Sequence, residues 1–185
     1  MEKSDFSLSL VPHPSASGEA VRRAAACVEW VKPDSLRFKY VLEADEERIR
    51  IPPQAPDAAR TDELWVHTCF EAFIGLPGSL RYLELNFSPS GRWAAYRFDS
   101  YRQGRAPALD SSPRLALRRG DGRLELEAVV DSSRILSGSG RLRIALSAVV
   151  EDREGRLSYW ALRHPAGRPD FHHPESFSLA LELPS

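Results

Sequence analysis

Across Trp65-Val-His67-Thr-Cys69-Phe-Glu71-Ala-Phe73 and Tyr82-Leu-Glu84-Leu-Asn86, side chains able to do chemistry recur at every second position. In an extended strand, residues i, i+2 and i+4 share one face, with same-face neighbours about 7 Å apart. Alternation over 64–75 predicts a core face of Leu64, Val66, Thr68, Phe70, Ala72 and Ile74, and an opposite face of Trp65, His67, Cys69, Glu71 and Phe73. Over 81–88 it sends Leu83, Leu85 and Phe87 inward and leaves Tyr82, Glu84, Asn86 and Ser88 opposite. A third run, 92–99, sets Trp93, Ala95, Arg97 and Asp99 against Ala94, Tyr96 and Phe98. With these runs as neighbours in a sheet, Trp65, His67, Glu71, Tyr82, Glu84, Asn86 and Arg97 form one patch of rings, carboxylates, an amide, an imidazole and a guanidinium. Such a mixture suits a sugar, whose C–H faces pack on aromatic rings and whose hydroxyls both donate and accept. The same residues also fit a solvated sheet face with cross-strand pairs such as Glu84 with Arg97, or a protein interface anchored by its aromatic rings.

The tract His164-Pro-Ala-Gly-Arg168-Pro-Asp170-Phe-His172-His173-Pro-Glu175 holds three of the chain's five histidines. Its prolines stiffen it as a loop that could hold rim residues over the patch, which adds His164, His172 and His173 to the candidate ligand-binding set. Converging with His67, they could also hold a metal or haem, but their spacing matches no zinc pattern, and the expectation is neither metal nor cofactor. No nucleophile elbow, Cys-x-x-Cys pair, phosphate-cradling loop or dinucleotide fingerprint occurs. Glu71 with Glu84, or His67 beside Glu84, are the groups left for acid–base chemistry, so the expectation is a binding module with the enzymatic question open.

The elements that must position these residues are strands. Period-2 runs at 36–43, 123–131, 141–151 and 177–183 are separated by Pro77-Gly78, Ser90-Gly91, Asp121-Gly122 and Glu154-Gly155, pairs suited to tight hairpins. Counting gives about ten or eleven strands, which predicts an all-β, two-sheet antiparallel sandwich with little helix. Residues 16–26 have helix propensity, yet the alternation of Ala26, Val28 and Trp30 favours a strand there, and 132–136 suits one helical turn. Long loops are expected at 52–63, 100–113 and 164–176. The 185 residues suit a single domain, 1–185. A net charge of -1, with 25 basic and 26 acidic residues, argues against nucleic acid or an anionic membrane as partner. No apolar stretch has the length of a signal peptide or of a membrane span, so the expectation is a cytoplasmic protein, monomer or homodimer, with Cys27 and Cys69 as thiols.

Leu64-Trp65, then Cys69-Phe-Glu71-Ala-Phe73-Ile74, a turn, Tyr82-x-Glu84-x-Asn86-Phe-Ser-Pro89-Ser-Gly91 and Arg92-Trp93-Ala-Ala-Tyr96 together resemble the central hairpin of the DOMON-like, family 9 carbohydrate-binding-module superfamily. The resemblance is greatest to bacterial intracellular DOMON-like proteins and extends over nearly the whole chain. It implies a β-sandwich, a small sugar-like ligand, and a two-tryptophan clamp for which Trp65 and Trp160 are the candidates. Where secreted members carry acidic residues, this chain has His67, Thr68 and Gly75, so the resemblance carries no calcium site across. Haem-binding relatives pair a methionine with a histidine, and the single methionine here is Met1.

Overall fold

Turns built on Gly78, Gly91, Gly122 and Gly155, each at positive φ, cut the alternating runs into hairpins. A computed structural model of the chain describes residues 8–15, 19–109, 111–133 and 140–183. Among these the strands are β1 (Leu8–Pro12), β2 (Val21–Lys32), β3 (Ser35–Ala44), β4 (Ile49–Arg50), β5 (Cys69–Gly75), β6 (Tyr82–Phe87) and β7 (Trp93–Phe98). They continue with β8 (Ala106–Pro107), β9 (Arg114–Gly120), β10 (Arg123–Asp131), β11 (Arg141–Asp152), β12 (Leu157–Ala161) and β13 (Leu179–Glu182). Helix is confined to two single 3-10 turns, Leu64–Val66 and Pro174–Ser176, so none of the described residues forms a helix long and apolar enough to cross a membrane.

The all-β, antiparallel expectation holds, but separation into two sheets does not. The strands form one hydrogen-bonded path, β8-β7-β6-β5-β11-β12-β1-β2-β3-β10-β9, with β4 and β13 attached to β11. The join is β1, whose Leu8–Leu10 pair with Ala26–Ala24 of β2, while Val11 and Pro12 pair with Ala161 and Trp160 of β12. Bridging in this way, one strand curls the sheet so that its halves face each other. Tyr40 stacks on Phe70 at 4.9 Å, Phe38 meets Phe87 at 5.8 Å, and the Tyr40 hydroxyl donates to the main-chain oxygen of Glu71 across the core. Leu36, Leu42, Leu85, Leu126, Leu142, Ile144 and Leu146 fill the rest, each fully buried side chain contributing roughly 1.5 to 3 kcal/mol.

The half-sheet of β5, β6, β7, β11 and β12 is covered on its other face as well. Every residue of β5 is buried, because Phe171 and Phe177, from the chain after β12, close over Phe73, Tyr82 and Phe98. The polar face is therefore an interior surface with an opening, not a solvated one. The 3-10 turn at Leu64–Val66 also corrects the expected strand 64–75, which begins only at Cys69. Thr68 is the reason: its hydroxyl donates to the Arg50 carbonyl at 2.6 Å and accepts the Glu151 amide at 3.1 Å, which pins the preceding residues toward β4 and β11. Val21–Lys32 is a strand as expected, whereas residues 16–18 and most of the expected turn at 132–136 lie outside the described residues. Cys27 and Cys69 are not joined in a disulfide.

Candidate functional site

Alternation places Glu71, Tyr82, Glu84 and Asn86 on one face, and register decides which of them meet. Glu71 lies opposite Asn86, Phe73 opposite Glu84, and Gly75 opposite Tyr82. Glu71 and Glu84 are thus diagonal neighbours on adjacent strands, a relation within reach of long side chains. Beyond Glu71 on β11 is Ser147, so Asn86, Glu71 and Ser147 form one row across three strands. The Asn86 amide donates to Glu84 Oε1 at 2.8 Å, while Asn86 Oδ1 and Ser147 Oγ are buried without a partner among the described residues.

Above this floor is a cleft of about 540 Å³, walled by Trp65, Phe98, Leu157, Tyr159 and Phe171, with Glu71, Glu84, Arg102, Arg105 and His172 as its polar groups. Its size is that of a small-molecule site. Trp65 reaches it from the 3-10 turn and meets the Tyr96 ring edge-on at 6.0 Å. Arg105 lies over both rings, with Cζ 5.8 Å from the Trp65 centroid and 4.9 Å from that of Tyr96. Arg102 and Arg105 come from the tight turn after β7, where Arg102 has φ 55° and Gly104 φ 68°. A Cβ at Gly104 would overlap the Asp99 carboxylate, so the turn that lifts both arginines needs glycine there.

The histidine tract folds back as a cover latched by Asp170. Its carboxylate accepts from Arg102 Nη2 at 2.8 Å, from the His172 amide at 3.1 Å and from the Tyr101 hydroxyl. Burial would raise the Asp170 pKa, but the Tyr101 and Arg102 hydrogen bonds outweigh it and hold the group below the usual carboxylate range. His172 then reaches Tyr82, its Nδ1 2.8 Å from the hydroxyl, and that hydroxyl already accepts the Arg102 amide at 3.1 Å. A phenolic hydrogen donated to Nδ1, with the ring hydrogen on Nε2, is the assignment that fits this geometry and a neutral ring. Burial, aided by the Arg102 charge, pushes the imidazole pKa down to about 4. Glu84 Oε2, at 3.6 Å from Nε2, is too distant for a hydrogen bond and does not offset this.

The two carboxyls are both 4 % exposed. Burial drives Glu71 well above the ordinary range, the Glu84 charge adds to this, and Arg102 opposes it; no side-chain hydrogen bond or ion pair ends on Glu71 among the described residues. Burial raises Glu84 too, against the Asn86 hydrogen bond and the Arg105 and Arg102 charges. The floor thus holds two buried carboxyls with raised pKa values, Glu84 accepting from Asn86 and Glu71 without a side-chain partner among the described residues.

Of the residues expected from sequence, the cleft gathers Trp65, Glu71, Glu84 and His172, with Tyr82 and Asn86 supporting them from behind. Five others lie elsewhere. His67 leaves the strand and bonds Glu151 Oε2 through Nδ1 at 2.7 Å, beside Arg50. Arg97 pairs in register with Leu83 and Ala106, so it points away from Glu84 and is exposed beside a different depression whose charged residues, Arg81 and Asp99, are solvated. Trp160 sits on the core face of β12, 5 % exposed, with Nε1 on Ser158 Oγ. His164 bonds the Val11 carbonyl at 2.9 Å and packs edge-on against His13, anchoring the loop to β1. His173 caps the Pro174–Ser176 turn by accepting the Glu175 amide.

Sequence reasoning missed Arg102, Arg105, Tyr159 and Phe171. Alternation through Leu157-Ser-Tyr-Trp160 could have separated Tyr159 from Trp160, whereas the others belong to loops without a period. Among the described residues no group of three or more His, Cys, Asp or Glu side chains is placed to hold a metal ion.

Known structures share this fold. A Bacteroides uniformis protein proposed to bind carbohydrate aligns over 95 % of this chain and 84 % of its own, with a TM-score of 0.66 and 16 % identity. A family 9 carbohydrate-binding module from Caldicellulosiruptor kristjanssonii in complex with glucose aligns over 99 % of this chain and 88 % of its own, at a TM-score of 0.56 and 12 % identity. A structure of such a module from that organism with cellotriose gives a TM-score of 0.54 over 90 % and 79 %, again at 12 % identity. At such identities the likeness is one of fold. No protein-family model matches the sequence, and no curated protein matches it.

Proposed function

We propose that this chain is a non-catalytic, DOMON-like binding module that takes a small sugar-like ligand in the cleft between Trp65 and the His172 loop. The observation that carries the reading is the convergence, in one cleft of about 540 Å³, of aromatic walls with buried polar groups that donate and accept side by side. A pyranose would lay a C–H face on Trp65 or Phe98 and direct hydroxyls at Glu71, Glu84 and the guanidinium of Arg105. The fold shared with family 9 modules bound to glucose and cellotriose supports the same ligand class. The closed floor suits one or two sugar rings better than a polymer surface.

Calorimetric titration against mono- and disaccharides is the direct test. Millimolar or tighter binding of at least one sugar, weakened in Trp65→Ala, is the expected result. An absence of binding to the whole panel at millimolar concentration would sink the proposal.

A further inference from the structure

We propose that the preferred occupant of the cleft carries a protonated amine, as an amino sugar does, and that its ammonium group sits against the carboxyls of Glu71 and Glu84. This rests on the reading of the cleft as a sugar site and names the class of sugar.

The first argument is charge balance over the groups that face the floor. Arg102 is matched by Asp170 at 2.8 Å. Behind Tyr96, Arg60 and Asp62 pair at 2.9 Å. His172, whose Nδ1 accepts from the Tyr82 hydroxyl, is neutral. The cleft thus sets Arg102, shared with Asp170, and Arg105 against Glu71 and Glu84, so that three carboxyls meet two guanidiniums. Arg105 lies on the exposed side, over Trp65 and Tyr96, and of the two carboxyls it acts on Glu84. Glu71 is left, a residue only 4 % exposed, lining the cleft with no side-chain hydrogen bond among the described residues. A buried carboxyl with no hydrogen-bonding partner is costly, and an ammonium group of the ligand would supply both the partner and the opposite charge.

The second argument is independent of the carboxyls. The walls include the rings of Tyr159 and Phe171, beside Trp65, over which Arg105 already lies, and aromatic rings attract cations. An anionic ligand would be drawn to Arg105 but would meet the two buried carboxyls of the floor, Glu71 and Glu84. A neutral sugar would gain a hydrogen bond at Glu71 but would leave the rings' affinity for charge unused.

Glucosamine, N-acetylglucosamine and glucose separate these possibilities, because the acetyl group removes the charge while keeping the nitrogen. Titrated at pH 6.5, glucosamine should bind about tenfold more tightly than either neutral sugar, the gain of one charge-assisted hydrogen bond. In Glu71→Gln, shown to be folded by its thermal melt, the ratio of glucosamine to glucose affinity should fall to within about twofold. Equal affinities in the wild-type protein, or tighter binding of glucose, would overturn the inference and leave the sugar-site reading standing. A preference that persists in Glu71→Gln would overturn the role given to Glu71. Failure of all three sugars, with the wider panel, would remove the sugar site itself and the inference with it.

Discussion

His172 ties the cover loop to the cleft, and its titration can be read as stability. Its pKa is about 4 in the folded protein against an ordinary value of 6.5, so the folded state favours the neutral ring. The stabilisation is fully present above pH 6.5 and is lost as pH falls toward 4, because the unfolded chain takes up the proton first. Integrated from pH 7 to pH 5, these two values give a loss of about 2 kcal/mol from this residue. Glu71 and Glu84, with raised pKa values, work in the opposite direction over the same interval, so the wild-type curve alone does not isolate the histidine. The informative comparison is with His172→Gln, which stays neutral at every pH. Its loss of contacts with Phe73 and Phe98, at 5.1 and 5.2 Å, lowers stability at pH 7 by roughly 1 to 3 kcal/mol. Urea denaturation of both proteins at pH 7 and pH 5 should show that this deficit shrinks by about 2 kcal/mol at the lower pH. A deficit unchanged within about 0.5 kcal/mol would refute the neutral, buried assignment of His172.

Glu71→Gln tests the other sign: a raised carboxyl pKa gives stability that is full at acidic pH and declines as pH rises from the ordinary value toward the raised one. Thermal melts between pH 4 and 8 should therefore show the variant gaining on the wild type, by about 1.4 kcal/mol per unit of elevation, and parallel curves would count against it. Trp160→Phe should cost about 1 to 3 kcal/mol of stability with sugar affinity unchanged, since Trp160 is a core residue. Trp65→Ala should instead lower affinity about tenfold with a small effect on melting, and an exchange of these two phenotypes would contradict the placement of the tryptophans. Gly104→Ala should both destabilise the fold, by about 1 to 3 kcal/mol, and weaken binding, because the turn carrying Arg102 and Arg105 must shift; unchanged affinity would show that neither guanidinium touches the ligand.

Strand character and facing were legible in the sequence because a strand's period of two is a local property. Glu71, Tyr82, Glu84 and Asn86 fall on one face, and Phe70, Ala72, Leu85 and Phe87 on the other, as alternation alone requires. Alternation carries no information about where a strand begins, so it extended β5 back through His67 and Trp65. That boundary is decided by Thr68, whose hydroxyl bonds to Arg50 and Glu151, remote in sequence. Nor does period two say which of its two faces lies over a neighbour's polar face once the strands pair. Register with β6 and β8 turned Arg97 away from Glu84, and Arg102 and Arg105 took its place from a turn that has no period at all. The histidine tract shows the same division: its composition marked it as a cover, but only contacts with Asp170 and Tyr82 separated His172, in the cleft, from His164 and His173, which hold the loop. The closure of one continuous sheet through β1 was likewise out of reach, because it depends on five residues pairing with two strands that lie far apart in the chain.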